Sequence, residues 1–202
     1  SSPTIMLERG PRLDVYSDVT LDDLFKKLIE GVYSDYLKYI NEPTFEYTIP
    51  FLMQYNESDW EFLRRIAYIY GENLFYNGTK VVFGNGEESE SVKLTYDKEI
   101  SEINFCSRML PNSFVHYQYI SHQDTILKKQ SPDKIEHSTK YLDVAAEQNM
   151  ALTKDRPSTN LVAAPVGSSS QMDELAKRNK SRIAAGTVYV TGTSKTYESA
   201  VG

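Results

Sequence analysis

The stretch Gln54-Tyr55-Asn56-Glu57-Ser58-Asp59-Trp60-Glu61-Phe62-Leu63-Arg64-Arg65-Ile66-Ala67, followed by Tyr70-Gly71-Glu72-Asn73-Leu74-Phe75-Tyr76-Asn77-Gly78, decides the fold. Ser58 and Glu61 stand at capping-box spacing, where hydroxyl and carboxylate each satisfy an orphan amide of the first helical turn. Phe62, Leu63, Ile66, Ala67, Ile69 and Tyr70 supply the buried face, and Gly71 is placed to close the helix in a left-handed conformation. Leu74-Phe75-Tyr76, Asn77-Gly78 and Lys80-Val81-Val82-Phe83 then read as a hairpin. Asn-Gly suits a two-residue type I′ turn, which needs positive φ at both central positions. The segment predicts one compact unit, a capped helix leading into a tight aromatic hairpin.

Working upstream, Thr20 is placed as an N-cap with Asp23 three residues on. Leu21, Leu24, Phe25, Leu28, Ile29 and Val32 form one helical stripe, ending near Gly31 and Ser34. Tyr33, Tyr36, Leu37, Tyr39 and Ile40 form an apolar tail before Pro43. A strand is expected over 45–55, with Pro50 marking an edge or a bend. Thr4-Ile5-Met6-Leu7 reads as strand.

Downstream, residues 84–91 are a polar, acidic break, and 92–128 are strand-rich. Ile103, Phe105, Ser107 and Met109 alternate with Asn104, Cys106, Arg108 and Leu110. After the Pro111-Asn112 turn, Phe114, His116, Gln118 and Ile120 alternate with Val115, Tyr117, Tyr119 and Ser121. Both faces are mixed, as in barrel strands with one packed side and one solvated or partner-facing side. Residues 130–143 are polar and unassigned, and 144–152 show a weak helical pattern. A linker-like run over 163–170 precedes a helix over 172–185. Its early Asp173 and Glu174 and later Lys177, Arg178, Lys180 and Arg182 complement the helix dipole. Gly186 stops it, and 187–191 is a clean strand.

The fold class is therefore α+β, with barrel-like strands, an inserted helix–hairpin unit and a C-terminal helix and strand.

Composition narrows the function. The 202 residues are 40% hydrophobic and 25% charged, as a globular chain requires. Fifteen Tyr and eight Phe against one Trp favour half-buried strands and contact surfaces. The net charge of −6 disfavours a nucleic-acid partner, whose phosphates call for a basic surface. Cys106 is the single cysteine, so no disulfide forms within the chain. No apolar run approaches the ~20 residues of a membrane span, and residues 1–12 lack signal-peptide regions. The opening without Met and the ending at Ala200-Val201-Gly202 read as a piece of a longer protein.

Chemistry has few places to reside. His116, His122 and Asp124 are the one candidate metal cluster, and their spacing matches no zinc pattern. His137 stands alone in a polar stretch. Glu57, Asp59 and Glu61 put three carboxylates in five residues, but helix capping and the helix dipole explain them better than acid–base chemistry. Cys106 has no motif tying it to a histidine. Ser168-Ser169-Ser170 lacks the frame of a nucleophile elbow and reads as linker and helix cap. Gly84-Asn85-Gly86 lacks the lysine and the following helix of a phosphate loop. No catalytic residue, cofactor or metal ligand is expected, and the chain is read as non-enzymatic.

Residues 54–78 resemble the signature of VgrG and phage late-control tail-hub proteins, Q-Y-x-E-[ST]-[DN]-[WFY]-x-F-[LI]-x-R, then a helix, a glycine and an aromatic hairpin. The segment Ser2-Pro3-Thr4-Ile5-Met6-Leu7-Glu8-Arg9-Gly10-Pro11, residues 21–28 and residues 173–192 are similar to the family's flanking parts, and the whole is most similar to Bacteroidetes-type relatives. The likeness is specific over 54–78 and loose over 85–165. It implies a β-barrel-like tube domain organised as the end of a first barrel over 1–18, the helix, strand, capped helix and hairpin unit over 19–84, and a second barrel with the C-terminal helix and strand, leading toward a missing spike domain, over 85–202. It implies a structural hub or spike component of a type VI secretion-like contractile injection machine. Homotrimers of such proteins carry two barrels per subunit, cap a hexameric tube ring, and bear a spike tip and effectors. The tip, absent from this segment, would touch the target membrane. The resemblance implies bacterial origin, assembly in the cytoplasm without a signal peptide, and delivery out of the cell with the apparatus. It makes Gln54, Tyr55, Glu57, Ser58, Asp59, Phe62, Leu63, Gly71, Tyr76 and Gly78 fold determinants. The same module serves phage and prophage tail baseplates. A carbohydrate-binding β-domain with an aromatic platform, or a hydrolase with two convergent carboxylates, are the readings from other classes.

Overall fold

A computed structural model describes residues 3–30, 32–86, 95–135, 139–162 and 165–195, with the backbone alone at His122. The chain forms two compact units, one drawn mainly from residues 1–90 and the other from residues 91–162 and 168–199. The fold is α+β, with four small sheets among the described residues.

In the first unit a 3-10 turn, Pro3–Glu8, leads into β1 (Arg12–Val19), α1 (Leu21–Ile29), β2 (Tyr39–Glu42), β3 (Ile49–Glu57), α2 (Asp59–Tyr70), β4 (Leu74–Tyr76) and β5 (Val81–Gly84). β1 and β3 form an antiparallel ribbon, while β5 pairs parallel with β2 and antiparallel with β4. Leu21, Leu24, Phe25, Phe62, Leu63, Ile66, Val81 and Phe83 fill the core. Phe25 stacks on Phe83 with ring centroids 5.2 Å apart. β1 pairs along its length with β3.

The second unit contains β6 (Ile100–Ser107), β7 (Phe114–Ile120), β8 (Thr125–Gln130), α3 (Lys140–Thr153), β9 (Ser158–Leu161), α4 (Ser169–Ala185) and β10 (Val188–Ser194). β6 and β10 make an antiparallel ribbon, and β7 lies between β8 and β9. No sheet closes into a barrel among the described residues. Phe114, Val115 and Ile120 from β7 join Met172, Leu175, Ala176 and Ala184 from α4 in this unit's core.

The structure revises several local expectations. Residues 3–8 form a 3-10 turn instead of a strand: Pro3 begins it, a position where its missing N–H costs nothing, and Leu7 is buried while Ile5 is exposed. α1 ends at Ile29 because Glu30 turns to an extended conformation, and Val32 leaves the stripe exposed. Tyr39 and Ile40, expected as a loose apolar tail, belong to β2. The Asn77-Gly78 hairpin is not a two-residue turn. Tyr76 pairs with Val81, leaving a four-residue loop in which Asn77 Oδ1 accepts the amides of Thr79 and Lys80. Pro50 does lie within β3, and the ladder skips its pairing with Asp18, whose φ is 49°. α3 starts earlier than the pattern suggested, capped by Thr139, and only Ala146 and Asn149 are buried on it, so its periodicity is faint. α4 starts at Ser169, with Ser168 Oγ accepting the Gln171 amide.

Gly84 has φ +88°, and a Cβ there would sit 2.1 Å from the carbonyl oxygen of Glu42. Gly78, at φ +95°, would place its Cβ in open space. Gly84→Ala is therefore expected to cost on the order of 3 kcal/mol, by forcing β5 off β2, whereas Gly78→Ala costs about 1 kcal/mol of backbone strain. Urea unfolding of both variants, followed by tyrosine fluorescence, checks the contrast.

Candidate functional site

The signature residues converge on the N-terminus of α2. Both halves of the capping box form: Ser58 Oγ accepts the Glu61 amide at 3.3 Å, and Glu61 Oε2 accepts the Ser58 amide at 2.8 Å. These bonds hold the Glu61 carboxyl below its ordinary pKa. Gly71 closes the helix at φ 69° and ψ 32°.

Asp59 follows the cap and is only 2% exposed. A carboxylate so placed requires donors on both oxygens. Gln54 Nε2 donates to Oδ1 at 2.9 Å, and Tyr33 Oη donates to Oδ2 at 2.8 Å. Arg12 Nη1 reaches the same Oδ2 at 3.4 Å. Gln54 Nε2 also donates to the Glu57 carbonyl at 3.1 Å, across a bulge where Asn56 takes φ 51°. Asp59 thus joins β1, the turn after α1, β3 and α2. Burial and the bond to Asp59 push the Tyr33 hydroxyl up to about 12, which keeps it a donor, and the same carboxylate raises Arg12 above its usual value.

Around this centre, Arg65 Nε donates to both Glu57 oxygens, at 3.2 and 3.1 Å, and its guanidinium lies 5.1 Å from the Phe62 ring centroid. Tyr16 of β1 stacks on Phe62 with centroids 5.6 Å apart. Beyond Gly71, the Glu72 carboxylate accepts the amides of Thr44 and Phe45 at 3.0 and 2.7 Å, tying the helix end to the chain before β3.

Of the residues singled out from sequence, Gln54, Glu57, Ser58, Asp59, Phe62 and Leu63 are brought together and Gly71 caps their helix. Tyr76 and Gly78 form a separate contact at the hairpin, Tyr76 Oη to the Gly78 carbonyl at 2.8 Å. Tyr55 takes no part in the packing, being 67% exposed on the outer face of β3. Sequence reasoning missed Arg12, Tyr33 and Glu72. Arg12 and Tyr33 lie 47 and 26 positions from Asp59, where no local pattern could signal the contact.

The three carboxylates of residues 57–61 are each engaged in a structural bond: Glu57 to Arg65, Asp59 to three donors, Glu61 to the cap. His116 is buried in the second unit, while Asp124 accepts the Tyr119 hydroxyl at 2.8 Å in a turn. His137 falls outside the described residues. Cys106 lines an open cleft of about 400 Å³ with Phe105, Val188, Lys140, Tyr141 and Val144. Among the described residues no three His, Cys, Asp or Glu side chains gather as a metal site. Nor is any described helix long and apolar enough to cross a membrane.

No protein-family profile matches the chain, and no curated protein matches it by sequence. A solved structure does, the tail protein from Neisseria meningitidis MC58, with a TM-score of 0.50 and 16% sequence identity. The match covers 93% of this chain and 54% of that one. The chain has the fold of part of that tail protein and spans about half its length.

Asp59→Ala strands the Gln54 and Tyr33 donors and is expected to cost about 3 kcal/mol. Ser58→Ala and Tyr33→Phe should cost about 1 kcal/mol each. A double-mutant cycle on Tyr33 and Asp59 should show less than additive losses, because each removes the same bond. The Tyr33 contribution is present below pH 10 and is lost as the pH rises towards 12, measurable as an alkaline fall in melting temperature that is smaller in Tyr33→Phe, the remainder coming from raised tyrosines such as Tyr16.

Proposed function

We propose that the chain is a non-enzymatic structural part of a tail-type contractile injection machine, in the manner of VgrG and phage tail-hub proteins. The observation that carries this reading is the fold it shares with a tail protein along nearly its whole length. The sequence likeness over residues 54–78 supports it, since those residues act as an architectural clamp with their carboxylates committed to structural bonds. The finer assignment is a homotrimeric hub or spike that caps a hexameric tube ring. A phage or prophage baseplate hub would use the same module.

The surface supports assembly. Leu13 lies opposite Tyr55, Val15 opposite Met53, and Ser17 opposite Phe51, which places all six on one face of the β1–β3 ribbon. The five apolar members are exposed, Leu13 by 68%. The other face carries Leu52 and Gln54 inward over α2. Five exposed apolar side chains side by side on one sheet face suit a contact between molecules. Arg65 Nη2 donates to the Met53 carbonyl at 2.6 Å and the Tyr55 amide reaches Glu57, so the β3 edge here is already occupied and the face remains. The aliphatic neighbours of Phe51 and Tyr55 suit protein packing better than a sugar platform, which needs polar groups beside its rings.

Light scattering of this chain and its parent protein, alone and with a hexameric tube-ring protein, tests the proposal. The parent is expected to be a trimer that binds the ring. Val15→Glu and Met53→Glu should weaken association at least tenfold while leaving the chain's melting temperature within about 2 °C. A parent that stays monomeric and ignores the ring would overturn the reading.

A further inference from the structure

The second unit holds a buried polar seam that the proposed function does not use. His116 of β7 is 5% exposed, with the Phe114 ring edge-on to it at a centroid distance of 4.6 Å. Its Nε2 faces the side-chain amide of Asn179 on α4 at 3.5 Å, and its Nδ1 has no protein partner among the described residues. One residue along α4, Lys180 is 1% exposed and donates from Nζ to the Asn112 carbonyl at 2.7 Å. Asn112 Nδ2 in turn donates to the Ala146 carbonyl of α3 at 2.8 Å. The turn before β7 is therefore fastened to α3 and α4, and β7 itself meets α4 at His116.

The charges near the imidazole are largely paired with one another, and Arg182 is the one that acts on the ring. On β8 the residue paired with His116 is Lys129, whose Nζ holds Asp173 of α4 at 2.7 Å. On β9 the paired residue is the neutral Asn160. On α4, Arg182 bears on the imidazole and disfavours its protonation, while Lys180 feels Asp133. Glu174 is held by Arg178 at 2.8 Å. None of these carboxylates bonds to His116. A proton added to the ring would be buried among an aromatic edge, an amide and cations, the arrangement in which ionisation is most costly.

We propose that His116 is an acid-sensitive latch between β7 and α4: the neutral imidazole keeps α4 seated on the β8–β7–β9 sheet, and its protonation loosens the helix. The cause is differential proton binding. Burial and Arg182 lower the imidazole below its ordinary value in the folded unit, whereas a loosened α4 exposes the ring to water. Between the unfolded pKa near 6.5 and the lower folded value, the open form binds more protons. Stability from this group is thus complete above about pH 7 and declines as the pH falls through that window. Neither the latch nor its test rests on the tail assignment, since both concern the second unit alone.

Two measurements on the full chain test this. In a pH titration followed by NMR of the three histidine rings, assigned with His116→Gln, the His116 signal is expected to titrate below 6.5. In limited proteolysis at the α4 segment, acidification from pH 7.5 to 5 should raise the cleavage rate of the native chain about tenfold more than that of His116→Gln, after correction for protease activity. Asn179→Asp places a carboxylate against the ring and should reverse the sign, slowing acid cleavage. It also serves if the glutamine variant does not fold. A His116 ring that titrates at or above 6.5, or variants that keep the native acid response, would overturn the latch.

Discussion

A buried carboxylate with donors on both oxygens cannot be moved without exposing or orphaning each of them, and Asp59 occupies that position in the first unit. Its three partners come from the start of β1, the turn after α1 and the end of β3, so one side chain fixes segments that are far apart in sequence. The backbone around it is shaped to the same purpose. The bulge at Asn56 turns the chain from strand to helix, Ser58 caps the helix, and Asp59 then points back under the strand it has just left. The inner face of the β1–β3 ribbon is pinned against Phe62 and Leu63 in consequence. Its outer face, carrying Leu13, Val15, Phe51, Met53 and Tyr55, is left exposed.

What could be read in advance follows the range of the interactions. The capping box, the Gly71 cap and the Thr20 cap are local, set within four residues, and each is present, and the expected buried face of α2 holds except at Ile69, which is half-buried. Gln54 and Glu57 stood out through resemblance, although their partners did not. Arg12 and Tyr33 became functional only through tertiary contact, and nothing near them distinguishes them from other polar residues of an exposed strand and turn. The hairpin shows the limit of a dipeptide rule. Asn77 satisfies two amides with its side chain and opens the loop to four residues, which a tight turn would not permit. In the second unit the mixed faces of residues 100–120 pointed to strands but not to their partners. β6 pairs with β10 nearly ninety positions later, and β9 adds in parallel to β7 with a pattern too polar to announce a strand.

Both units leave some buried polar atoms without a protein partner among the described residues: Asn41 Oδ1, Gln54 Oε1 and Tyr70 Oη in the first, His116 Nδ1, Asn112 Oδ1 and Asn179 Oδ1 in the second. They differ in the ionisable group they bury. In the first it is the Asp59 carboxylate, with donors on both oxygens, and in the second an imidazole beside an amide, with Lys180 buried against a carbonyl instead of a carboxylate. Breaking the first contact orphans a charge, whereas the second carries no charge until it is protonated.

Where the β1–β3 outer face lies in an assembly that contains this chain is the most direct test of the proposed scaffolding role. Cryo-electron microscopy of that assembly should show several copies around a common axis, with Leu13, Val15, Met53 and Tyr55 of each buried against a neighbouring polypeptide. A map in which a single copy stands alone, with that face open to solvent and the Glu57–Glu61 carboxylates lining a ligand-filled cleft, would contradict it.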